Sequence, residues 1–194
     1  MTVLYIIVIL LQIGVIIYFV RRGKRLRQAA LVNAAAPDTD SYDGLRTLAL
    51  HITPAQLKLT IPENETFVYG VIMDCNVGEG IVTLSAYITG AVSIYFSNGG
   101  VKTGGGMTPE IAESAADFVT SAQDYINRAI QVANTELPAK GCVRFYLLTN
   151  HGIYVAQEQL AQFENGSSSW LPLFEMGNEV ISRIHASSNG HLVE

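Results

Sequence analysis

The sequence predicts an α+β protein: one N-terminal transmembrane helix, then a single domain with a five-stranded antiparallel sheet in the order β-β-β-α-β-β-α and helices packed on it. Three observations predict it. Val3 to Val20 is a run of 18 uncharged residues that ends on a basic cluster. Three β-branched and aromatic runs between residues 66 and 96 are separated by glycine turns. An apolar stripe of helical period then precedes two further strand-like runs flanking a compact turn.

The first element is the anchor, residues 1–27. At about 1.5 Å per residue, a helix over Val3 to Val20 spans about 27 Å, close to a hydrocarbon core of roughly 30 Å. The next seven residues, Arg21 to Arg27, carry five positive charges. A cleaved secretory signal has its charges before a shorter apolar run, so the order here predicts an uncleaved signal-anchor. Basic residues flanking a span stay on the cytoplasmic side, which makes this a single-pass membrane protein with a cytoplasmic C-terminal domain. The cluster is also placed to meet anionic lipid headgroups. Gln12 and Gly14 are the polar and small interruptions of the apolar run, and a helix–helix interface within the membrane would centre on them.

Residues 28–44 read as a linker, passing from small apolar residues into Pro, Asp, Thr and Ser, and residues 45–190 as the cytoplasmic domain. Thr53-Pro54 predicts a short helix toward Leu59. Strands follow over Thr66 to Asp74, Ile81 to Ile88 and Ala91 to Phe96, a meander turned at Val77 to Gly80 and at Thr89-Gly90. In the second, Val82, Leu84, Ala86 and Ile88 alternate with Thr83, Ser85 and Tyr87, as a half-buried sheet requires. Thr108, Pro109 and Glu110 predict a helix start. Its apolar stripe is Ile111, Ala115, Phe118, Ala122, Tyr125, Ile126, Ala129 and Ile130, with Gln123 among the water-facing set and a stop before Leu137-Pro138. Cys142 to Thr149 and Ile153 to Gln157 form a hairpin around Asn150-His151-Gly152. Gln159 to Ser169 reads as a polar loop, and Pro172 opens a last helix that buries Leu173, Phe174, Val180, Ile181 and Ile184. In general build this order resembles profilin-like, roadblock-like and longin-like small domains, a likeness of shape that brings no motif with it.

Charge is polarised along the chain. After residue 37 there are seven basic and 17 acidic residues, a formal charge of −10. No basic patch follows Arg27, which argues against nucleic acid as a partner. Cys75 and Cys142 lie 67 positions apart without a second cysteine or histidine at ligand spacing, so they predict reduced thiols and neither a metal site nor a disulfide framework. Asp74 and Cys75 are adjacent on a strand and so face opposite sides, which leaves no nucleophile arrangement there. No catalytic residue and no cofactor is predicted.

The most unusual composition is Ser97 to Gly106, with five glycines between a strand and a helix start. Backbone amides freed by glycine beside a positive helix end can cradle an anion. The candidate ligand-binding residues are Gly99, Gly100, Lys102, Thr103 and Gly104. The spacing departs from phosphate-loop and dinucleotide fingerprints, because Phe96 and Val101 stand where the first needs glycine and Pro109 where the second needs Gly or Ala. The expected function is therefore an accessory, scaffold or regulatory subunit of a membrane-associated complex, touching other membrane protein subunits. The alternative is a sensor that binds a small anionic ligand or nucleotide through the Gly99 to Gly106 loop.

Overall fold

The structure, a computed structural model, describes residues 41–99, 101–103 and 108–190. The expected transmembrane helix, its basic cluster and the Gln12 and Gly14 interface lie outside the described residues. Among those described, no helix is long and apolar enough to cross a membrane.

The elements run α1 (Tyr42–Leu50), β1 (Val68–Asn76), β2 (Ile81–Tyr87), β3 (Val92–Phe96), β4 (Val101–Thr103), α2 (Pro109–Ser121), a 3-10 helix (Ala122–Arg128), β5 (Ile130–Val132), β6 (Cys142–Thr149), β7 (Gly152–Gln159), α3 (Leu160–Glu164) and α4 (Leu171–Gly190). All strands join one antiparallel sheet in the order β4-β3-β2-β1-β6-β7-β5. The five expected strands form its centre, and two three-residue strands extend it to seven. β4 forms inside the glycine-rich stretch. β5 forms where the sequence predicts helix: the chain tightens into the 3-10 turn after Ser121, and Ala129 takes an extended backbone (φ −107°, ψ 158°). Ile130 to Val132 then pairs with Val155 to Ile153, giving β7's outer backbone groups a ladder partner. Ile130, assigned to the buried stripe, is 74% exposed as a result.

The sheet is covered on both faces. Val71, Met73, Leu84, Val92, Phe145 and their neighbours pack against α2, α3 and α4. Tyr69, Ile72, Tyr87, Tyr95, Tyr146 and Leu148 form a second core with Ala49 and Leu50 of α1. Every residue of β2 is buried, including Thr83, Ser85 and Tyr87, so the half-buried reading is corrected to a three-layer arrangement. α1 supplies the extra layer and takes in positions 42 to 44, assigned above to the linker. The Ser41 hydroxyl caps it by accepting from Gly44 N at 3.1 Å. The helix expected at Thr53-Pro54 is a single turn, closed by Leu57 N to Thr53 O and ending at Lys58 with φ 58°.

On the other face α2 buries Ile111, Ala115 and Phe118, as its stripe predicts, and Val119 beside them. α4 lies close against it because Gly177 has no side chain: a Cβ there would sit 2.8 Å from Met73 Cε and 3.3 Å from Phe118 Cζ. The expected polar loop contains α3, where the Gln162 side chain accepts from Gln159 N at 3.0 Å and Phe163 is fully buried against Phe174, ring centroids 4.4 Å apart. Gln123, read as water-facing, instead accepts from Val68 N and donates to Thr66 O, both at 2.9 Å, and so fixes the start of β1. His151 and Asn150 hold the 62–67 loop to the β6–β7 turn through hydrogen bonds to Thr66, Glu63, Phe67 and Glu65.

Candidate functional site

The register of the central strands builds a polar cluster beneath α1. Asp74 of β1 stands opposite Thr83 of β2 and opposite Arg144 of β6, and Ile72 stands opposite Tyr146, so Asp74, Thr83 and Tyr146 share the face that α1 covers. From above, α1 lowers Tyr42 and Arg46, four positions apart and therefore on one side of the helix. Arg46 Nε donates to Asp74 Oδ2 at 2.8 Å, Nη1 to Thr135 O at 3.0 Å and Nη2 to Tyr146 Oη at 2.7 Å. Thr83 Oγ1 donates to Asp74 Oδ1 at 2.5 Å. Since that hydroxyl spends its proton on the carboxylate, Tyr42 Oη is the donor in its 2.8 Å bond to Thr83. Tyr146 Oη in turn donates to Glu136 O.

Burial pushes the Asp74 carboxyl up from its ordinary value, while the Arg46 guanidinium and the Thr83 hydroxyl pull it back. Burial likewise raises the Tyr42 and Tyr146 phenols, so both stay protonated and able to donate. Both carboxylate oxygens and all three guanidinium nitrogens have partners in this chain. The cluster is a clamp: it ties α1 to β1, β6 and the segment between β5 and β6.

What the clamp positions is a groove of about 500 Å³ between α1 and β3. Leu45, Leu48 and Ala49 form its helical wall, and Tyr87, Val92 and Tyr95 line the sheet side. Tyr87 Oη donates to Ala49 O at 2.8 Å, a second tie holding that wall. Leu48 is 59% exposed at the groove. The lining is mostly apolar, and Gln56 and Ser93 supply polar side chains. Such a surface holds an apolar side chain and orients it by few polar contacts.

The sequence-predicted anion residues fall only partly within the described residues. Gly99 takes φ 98° in the turn after β3. Lys102 and Thr103 are strand positions of β4, opposite Ile94 and Ser93. Gly100 and Gly104 lie outside the described residues. Burial raises the Cys75 thiol, which suits a core position and not a nucleophile. Among the described residues no group of three or more His, Cys, Asp or Glu is placed to hold a metal.

Sequence reading missed Tyr42, Arg46, Thr83 and Tyr146. The signal available was Ser41 as a cap followed by Tyr42, Leu45 and Ala49 at helical spacing; an arginine inside that stripe hid it. The fold and groove together define a three-layer α+β domain. No protein-family model, curated protein or solved structure matches the chain.

Proposed function

We propose that the protein is a membrane-tethered accessory subunit of a membrane-associated complex, working through protein–protein contacts, with the α1–β3 groove receiving an apolar segment of another membrane-borne chain. The groove supports this reading: it is apolar, aromatic on its sheet side, held open by a buried clamp, and bordered by an exposed leucine. Exposed apolar surface of this kind gains from being covered by a partner. The choice of a membrane-borne partner comes from the tether. Arg27 and Ser41 are 14 positions apart, so α1 starts no more than about 50 Å from the bilayer surface. The charge of −10 over residues 38–194 keeps that part off the anionic headgroups that attract Arg21 to Arg27, leaving it free to meet a neighbour.

The test is purification of the full chain from native membranes in mild detergent. A stoichiometric membrane companion is expected, weakened by Leu48→Glu at the groove and by Gln12→Leu with Gly14→Leu in the anchor. A monodisperse monomer with no companion, or a companion indifferent to both sets of substitutions, counts against the reading.

A further inference from the structure

A second surface lies at the opposite edge of the sheet. β7 pairs with β6 from Gly152 to Gln159, but with β5 only from Ile153 to Val155. The Gln159 N–H is taken by the Gln162 side chain, so positions 156 to 158 present one side of their backbone without a strand partner among the described residues. Beside them opens a cleft of about 380 Å³, whose lining includes Arg128, Arg144, Glu158, Ile130 and Trp170.

Its charged groups are underused. Arg46 and Arg183 have carboxylate partners, whereas the Arg144 side chain makes no ion pair or hydrogen bond among the described residues; its Nε is buried and its guanidinium lies 5.5 Å from the Tyr146 ring centroid. Arg128 spends Nη1 on Ser169 O at 3.3 Å and otherwise rests over Tyr125. Glu158 Oε2 is buried and has no hydrogen-bond partner among the described residues. Two cations of an acidic domain thus line one cleft with an acceptor in need of a donor, a tryptophan and an open strand edge.

The geometry points to a binding site for an extended peptide segment of a protein partner, carrying a carboxylate between apolar side chains and added as a strand alongside Ala156 to Glu158. Each part of such a segment meets a group that is otherwise unmet. Its backbone continues the ladder that β5 leaves. Its carboxylate takes the fork of Arg144, with Arg128 adding charge. A peptide N–H supplies Glu158, and an apolar side chain covers the exposed Ile130 beside the buried Trp170. A small organic anion would satisfy the arginines alone and leave the strand edge and Glu158 as they are. The inference gives a partner chemistry to the subunit reading above but lies at the opposite edge of the sheet from the groove.

Trp170 is the chain's one tryptophan, so its emission reports on this cleft. The experiment titrates the full chain in detergent with an acetylated, amidated peptide of four valines around a central glutamate, reading Trp170 emission. A saturable shift is expected. It should weaken at least tenfold with glutamine at the peptide's centre, with Arg144→Met, and with a peptide whose alternate backbone nitrogens are methylated. Arg128→Gln, at an exposed position, provides the same comparison with at least a threefold loss if Arg144→Met fails to fold. Absence of a shift, equal response to the methylated peptide, or saturation of the shift by succinate alone overturns the proposal. If the peptide fails while the membrane companion still co-purifies, only the cleft assignment falls; if the peptide binds and no companion exists, the subunit reading falls instead.

Discussion

Arg46 and Asp74 show how one buried pair ties a helix to a sheet. Removing a single partner strands the other charge in the interior, which typically costs about 3–5 kcal/mol, whereas replacing both with apolar side chains of similar size is often close to neutral. Arg46→Met is therefore expected to destabilise the protein by about that amount, and Asp74→Leu added to it should recover most of the loss, a cycle read by urea unfolding. The deficit carries a pH signature. Without the guanidinium, burial holds the folded carboxyl further above the 3.8 that is ordinary for an aspartate. A group raised on folding contributes stability below its unfolded value and loses it as pH rises through the folded value. The Arg46→Met deficit should thus be smallest below about pH 4 and grow toward neutrality. A deficit under about 1 kcal/mol at pH 7, or one flat with pH, would show that the clamp carries little of the fold.

At the scale of elements, the helices on the two faces are held by different physics. α2 is held by packing: Phe118 is fully exposed to the core and none of it to solvent, in contact range of both β1 and α4. Phe118→Ala should cost about 3–5 kcal/mol in unfolding free energy, since the crowding at Gly177 and Met73 leaves little slack to refill the cavity. A loss under about 1 kcal/mol would place that stripe at a surface. α1 has nine residues, too few to be stable as an isolated helix, and its buried face combines Ala49 and Leu50 with Arg46. Tertiary bonds keep it in place, so the groove wall depends on the clamp.

For the whole molecule, the governing asymmetry is electrical. Five positive charges stand at the end of the apolar run, and residues 38–194 that follow carry a formal charge of −10. If the cluster sets orientation, protease added outside intact cells should leave residues 45–194 uncut, and neutralising Arg21, Arg22, Lys24, Arg25 and Arg27 should yield a mixed population. Cleavage of the domain in cells carrying the native cluster would overturn the proposed topology and with it the cytoplasmic setting proposed for both surfaces.

The sequence alone determined the α+β class, the five central strands, the α2 stripe around Phe118 and the apolar face of α4, because each has a period or a cap that acts over neighbouring residues. Tertiary structure decided the rest. β4 and β5 are three residues each and exist only as partners of a longer strand's edge, so no local period marks them. α1 buries an arginine whose burial makes sense only opposite Asp74, 28 positions away, and Tyr146, 100 positions away. The second core followed from that helix: Thr83, Ser85 and Tyr87 alternate like a solvent face, and they are buried because α1 lies over them. Both candidate surfaces inherit this origin. One is the space α1 leaves beside β3, the other the edge β5 leaves beside β7, and such gaps between elements have no pattern in the residues of either.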